Sequence, residues 1–191
     1  MSDPGAVARA AREVRLPATR EQLAGLEAGD EVTLTGVVFT ARDATHERIA
    51  AALASDGVLP HELAGATLLY AGPTPPAAGR PAGAIGPTTA KRMDAWTPDL
   101  LRAGITATIG KGARSAEVVA ACAETGSVYF AAVGGAAALL ARHVSEMEPV
   151  AWPELGTEAL VKVTLDGFPA FVAIDARGRD LYRLAADEWR V

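Results

Sequence analysis

Four short β-prone runs in this chain each end in a glycine-bearing or polar turn and then give way to a helical segment, and this alternation constrains the fold most. The runs are Glu31–Thr40 (EVTLTGVVFT), Thr67–Tyr70 (TLLY), Thr106–Ile109 (TATI) and Val128–Val133 (VYFAAV). Their turns are Ala41-Arg42-Asp43, Gly72-Pro73, Gly110-Lys111-Gly112 and Gly134-Gly135. β-branched and aromatic residues suit a pleated surface, whereas Gly, Pro and short polar residues end it. The pattern predicts an α/β domain with a parallel or mixed sheet. In such folds the polar groups gathered outside strand ends are the usual seat of function.

The remaining elements follow from local signals. Thr19-Arg20-Glu21-Gln22 fits a capping box, with Leu23 and Leu26 on the buried face of a short helix. A helix after Ala41–His46 carries Ile49 and Leu53 on one face and stops at Gly57, with Asp43 or Thr45 as its cap. The stretch Gly83–Asp94, GAIGPTTAKRMD, reads as a turn and a helix start that continues through Trp96 toward Leu101, with Gly104 as its stop. Ser115 caps a helix from Ala116 to about Glu124, and Gly134-Gly135 opens an Ala/Leu-rich helix to about Val144. Leu160–Leu165 and Ala170–Ile174 are further strand runs, with a turn at Asp166-Gly167. Residues 1–18, rich in Ala and Arg and ending near Pro17, are assigned as an N-terminal extension, and 19–191 as a single domain.

Bulk properties remove several classes of function. A net charge of -5 with no basic stripe argues against nucleic acid as partner. No apolar run approaches the ~18 residues of a membrane span, and the first residues show no signal-peptide core, so a cytoplasmic location is expected. Cys122 is the one cysteine, which by itself makes no disulfide, zinc site or iron–sulfur site.

Three positions could handle an anion. If Pro87 opens a helix, Thr88 and Thr89 lie four and three residues before Arg92, on one face. Free N–H groups, hydroxyls and a forked guanidinium would then hold a carboxylate or phosphate. The same residues also fit an ordinary helix start with Met93, Trp96 and Leu100 in the core. Gly110-Lys111-Gly112 is not a P-loop, because Gly104 lies six residues before Gly110 and no Ser or Thr follows the Lys. It is either a cation on a close-approach backbone or a solvated turn. Arg42-Asp43 is either an anion contact or a surface ion pair, with His46 beside it. His61 and His143 lack partners at ligand spacing, Cys122 suits a core position, and Gly134-Gly135 suits close packing. Arg42, Arg92 and Lys111 each follow a predicted strand, so they can converge on one rim. Three cations with two hydroxyls suit a dianionic small molecule.

At these residues the sequence resembles a known family. TARDATH, GAIGPTTAKRMD, IGKGARS, YFAAVGGAAALLA and FPAFVAIDARG occur in that order over about residues 19–182. They resemble the β subunit, or C-terminal domain, of iron–sulfur class I fumarases and L-tartrate dehydratases; GPTTxxRMD followed by IGKG is a specific signature. The resemblance implies a swivelling β/β/α domain that closes over a [4Fe-4S] cluster held by three cysteines of an α subunit, in a heterodimer or α2β2 assembly. It implies reversible hydration of fumarate to (S)-malate, no metal ligand in this chain, and substrate-carboxylate contacts by Arg42, Arg92 and Lys111. It further implies that the Thr88 hydroxyl moves the carbon-bound proton and that Thr89 is an adjacent contact. The segments RMD, IGKGARS and GGAAAL are closer to fumarases. TARDATH in place of TGRDAAH, and Lys91 where Gly is frequent, leave tartrate or mesaconate as alternative substrates. A dicarboxylate-binding domain without catalysis is the rival from another class.

Overall fold

A computed structural model describes residues 10–188 of the chain. The strands are β1 (Arg12–Leu16), β2 (Glu31–Thr40), β3 (Thr67–Leu69), β4 (Ala107–Gly110), β5 (Val128–Ala131), β6 (Val144–Ala151) and β7 (Leu160–Ile174). The α-helices are α1 (Arg20–Leu23), α2 (Asp43–Asp56), α3 (Thr97–Ala103), α4 (Ala116–Thr125), α5 (Ala137–Leu140) and α6 (Leu181–Glu188). Short 3-10 turns cover Ala90–Met93, Ala141–His143 and Pro153–Glu158. No helix among these residues is long and apolar enough to cross a membrane.

The four runs read from the sequence pair side by side and parallel, in the order β2-β3-β4-β5. β7 then runs antiparallel to β5 and β6 and also along the whole of β2. The path β2-β3-β4-β5-β7 therefore returns to β2, and the mixed α/β fold has a barrel-like core. Period-two alternation assigns neighbouring residues to opposite faces. Leu69, Ile109 and Phe130 belong to one buried cluster. Leu68, Tyr70 and Tyr129 belong to a second, which includes Ile49 of α2, Leu100 and Leu101 of α3 and Val118 of α4. Both faces of these strands are buried, as parallel strands in α/β folds require.

The caps at Thr19 and Ser115 and the stops at Gly57, Gly104 and Gly126 are as expected. Other expectations change. Of the predicted extension, residues 1–9 lie outside the described residues, but Arg12–Leu16 is β1, paired in parallel with β2. Val14 and Leu16 are buried there, so the packed unit begins by residue 12 rather than at 19. Gly36 admits this strand: its φ is +123°, and a Cβ there would fall onto the Leu16 carbonyl oxygen. The predicted turn at Asp166-Gly167 is absorbed into β7, opposite the register shift between Leu34 and Gly36. The helix expected from Gly134 to about Val144 is only α5 and a 3-10 turn, with β6 following from Val144.

Candidate functional site

Three parallel strands deliver their C-terminal ends to one rim. β2 leads through Ala41 to Arg42, which is the N-cap residue of α2; β3 leads through Tyr70 to Gly72; β4 leads to Lys111. Into this rim the stretch GAIGPTT enters as extended chain. Pro87 bridges Ala71 in antiparallel fashion and Thr89 bridges Lys111 in parallel. The Thr88 N–H donates to the Tyr70 carbonyl (2.6 Å), the Lys111 N–H to Thr88 (3.1 Å) and the Ala90 N–H to Lys111 (2.9 Å). The expectation that Pro87 opens a helix is therefore corrected: a 3-10 turn begins at Ala90 and α3 at Thr97. The ends of β3 and β4 satisfy backbone groups that a helix start would leave free, so no helix dipole acts at Thr88. In extended chain the two hydroxyls alternate in direction; Thr88 is half-buried and Thr89 exposed.

The two arginines each carry a counter-ion. Arg92, on the 3-10 turn, forks onto Asp43, with Nε to Oδ1 at 3.1 Å and Nη2 to Oδ2 at 2.7 Å. Arg42 contacts Glu158 at 3.2 Å, while its Nε is buried without a partner among the described residues. Its side chain lies against Gly72, where a Cβ would come within 2.9 Å of the guanidinium. Glu158 also accepts the Ala44 N–H (2.9 Å), and its carbonyl accepts the Thr45 hydroxyl. The start of α2 is thus capped from the 3-10 turn after β6 and not by Asp43 or Thr45, whose side chains are engaged elsewhere. Asp43 pairs with Arg92, not with its neighbour Arg42.

Among the described residues Lys111 has no ion pair. Its stem lies against Gly134, where a Cβ would come within 3.3 Å, which gives that glycine a spatial reason. Lys111 and Thr89 line a cavity of about 480 Å3 with Gly112, Val133, Phe171 and Tyr182. Of the five residues expected in the site, these two share the cavity and Thr88 joins them through the backbone; Arg42 and Arg92 do not line it, and each is held by its own carboxylate. Lys91 is exposed on the same 3-10 turn, and no contact assigns it a role.

Under the rim lies a buried polar layer that sequence reading missed. His46 packs against the rings of Tyr70 and Trp96, 5.2 and 5.8 Å between centroids. Its Nδ1 lies 2.8 Å from the Arg42 carbonyl, and its Nε2 is buried without a partner among the described residues. A carbonyl only accepts, so Nδ1 carries the proton. Burial lowers the His46 pKa from 6.5 to about 4. Arg114, from GKGARS, pairs in the same layer with Asp94, from RMD. The motifs held both residues, yet local sequence does not announce a charge pair buried across twenty positions.

The donor set of the described residues does not fit a metal cluster. Among the described residues no three His, Cys, Asp or Glu side chains are placed to hold a metal. Cys122 is buried on α4, and its thiol is pushed up to about 12 by that burial.

A sheet whose parallel strands end in Arg42 and Lys111, with two threonines threaded between them and Arg92 alongside, defines an α/β domain with a cationic, hydroxyl-bearing rim. The chain belongs to the family described as Fumarase C-terminus, whose model matches residues 3–185. It is 38% identical over 165 residues to the anaerobic class I fumarate hydratase of Escherichia coli K12, covering 85% of this chain and 30% of that protein. It is 38% identical over 166 residues to fumarate hydratase 2 of Leishmania major, covering 85% of this chain and 29% of that protein. A Methanocaldococcus jannaschii protein named "Putative L(+)-tartrate dehydratase subunit beta" is 35% identical over 170 residues, 86% of this chain and 87% of that one. The chain thus spans about 30% of the length of these fumarate hydratases and most of the Methanocaldococcus protein.

Proposed function

We propose that this chain is the β subunit of a two-subunit hydro-lyase that adds water reversibly across the double bond of fumarate to give (S)-malate. The observation that supports the proposal is the arrival of Arg42 and Lys111 at the C-terminal ends of parallel strands, with the Thr88–Thr89 segment paired to Lys111 and Arg92 bonded to Asp43, in a member of the Fumarase C-terminus family. The substrate carboxylates are assigned to the two guanidinium forks and the Lys111 ammonium, which together fix both ends of a short dianion. Thr88 is assigned the proton at carbon: as alkoxide it takes the proton when malate loses water, and as hydroxyl it returns it on hydration. A threonine hydroxyl is a poor base unless its ionised form is stabilised. With no helix start at Thr88, the nearby cations are the groups of this chain available to do so. The [4Fe-4S] cluster is assigned to an α partner, over which this domain would swivel closed; when bound there, it supplies a Lewis acid for the substrate's oxygen atoms.

The test is reconstitution with a cluster-loaded α subunit under anaerobic conditions. Fumarate hydration is expected from the mixture and not from this chain alone. Arg92→Ala is expected to abolish turnover while circular dichroism and the unfolding midpoint stay close to the parent; undiminished turnover by that variant refutes the site. Likeness to the Methanocaldococcus protein supports tartrate as a second substrate reading, and a panel of fumarate, tartrate and mesaconate on the same complex decides between them.

A further inference from the structure

The guanidinium of Arg114 has no exposed surface, and it spends its donors in three directions. Nε donates to Asp94 Oδ1 at 2.6 Å, Nη2 to Thr97 at 2.8 Å and Nη1 to Thr108 at 3.3 Å. The group also lies 5.2 and 4.8 Å from the ring centroids of Tyr70 and Tyr129. The second Asp94 oxygen accepts the Ser115 N–H at 2.6 Å. A planar fork can meet this set of partners; the single ammonium of a lysine cannot.

The pair itself and the two tyrosines against it lead to the rim. Asp94 closes the turn that carries Arg92, and Arg114 and Ser115 follow Lys111 on the facing turn. The Tyr70 carbonyl accepts the Thr88 N–H, and the Tyr129 hydroxyl donates to the Gly112 carbonyl at 2.9 Å. A buried ion pair is a poor source of stability, since apolar residues of similar shape often serve as well. Here, however, its two halves sit on the two segments that hold the hydroxyls and cations. We propose that Arg114 and Asp94 are positioning residues, whose ion pair holds the Thr88–Arg92 segment in register with the Lys111–Gly112 turn. The functional half of this inference rests on the hydro-lyase reading; the structural half does not.

Two measurements on Arg114→Lys, Asp94→Asn and the double variant test it. Amide exchange on the chain is expected to rise at least about tenfold in both residues 88–96 and 111–115, with β4 and β5 within about twofold of the parent. In the complex with the α subunit, kcat/KM is expected to fall about 10- to 100-fold for either single variant. The double variant should fall no more than about threefold further, because both changes remove one device. Full turnover by Arg114→Lys, or exchange confined to the altered residue's own turn, overturns the proposal. So does exchange that rises across all strands in the isosteric Asp94→Asn as well as in Arg114→Lys. If the parent complex shows no dicarboxylate turnover, the hydro-lyase reading fails, and the exchange pattern still decides whether the pair couples the two segments.

Discussion

Acidification should destabilise this domain through His46 before its carboxylates contribute. Burial holds the imidazole neutral, with its pKa lowered from 6.5 to about 4. Between those values the unfolded chain binds a proton that the folded chain refuses, so stability falls as pH falls through that window. The gap corresponds to about 3 kcal/mol once both limits are passed, and to about 2 kcal/mol between pH 7.5 and 5. The groups facing the ring give little relief: Tyr70 and Trp96 are uncharged, Arg114 opposes a second cation, and Asp43, which favours one, is engaged with Arg92. Glu117 is held below its ordinary 4.5 by the Ser115 hydroxyl and Glu124 by Arg102, so both enter only at more acid pH. Urea unfolding followed by tryptophan fluorescence at pH 7.5, 6.5, 5.5 and 5.0 reads the effect. His46→Gln, which cannot take up the proton, should lose most of the slope. An equal slope in His46→Gln would refute the assignment.

Three further outcomes follow from packing and charge. Gly36→Ala forces a side chain onto the Leu16 carbonyl at positive φ, and should cost at least about 2 kcal/mol in urea unfolding, with β1 amides losing exchange protection. Leu63→Ala empties a fully buried position of the cluster under α2 and α3, and should cost about 2–5 kcal/mol by the same measurement. Asp43→Asn removes a surface partner of Arg92 whose side chain is half exposed, so stability should change by less than about 1 kcal/mol. In the reconstituted enzyme the same change should lower kcat, because the guanidinium loses its fixed direction, while KM falls or stays level because a like charge near the substrate carboxylate is removed.

Strands β2 to β5 were legible because each is a continuous β-prone run ended by a turn, and such strands need no partner to be recognised. β1 and β6 were not: REVRL is largely charged, and VSEMEPVA shows no apolar alternation. What makes them strands is the edge of β2 or β7 offered from elsewhere in the chain. The stretch GAIGPTTAKRMD was misread for the same reason. Proline before Thr-Thr-Ala-Lys-Arg is a local helix signal, and the ladder to Tyr70 and Lys111 that overrides it is non-local. The grouping of Thr88, Thr89 and Arg92 followed from the wrong geometry; backbone pairing, not a helical face, brings the threonines to Lys111. Asp43 and Glu158 escaped as the counter-ions of Arg92 and Arg42 because each lies far in sequence from the arginine it serves, and the adjacent Arg42-Asp43 suggested a pair that the structure does not make.

That pairing of cations with carboxylates bears on the rival reading, a domain that binds dicarboxylate without catalysis. Arg92 already commits its Nε and Nη2 donors to Asp43, and Arg42 is shared with Glu158. An incoming carboxylate meets two guanidinium groups whose charge is largely answered, and a repulsion between like charges at about 4 Å is of order 1–4 kcal/mol near a surface. Lys111, half-buried and without an ion pair among the described residues, is the cation most ready to receive it, and one ammonium at an open cavity contributes little. The lone chain should therefore hold fumarate or malate no more tightly than about millimolar. Calorimetric titration of the lone chain checks this, with Lys111→Met abolishing whatever heat is seen. Micromolar binding by the lone chain would overturn the argument and favour the binding-domain reading. Binding that tightens only when the α subunit is added would mean that the partner supplies the remaining contacts, as expected of half of a shared active site.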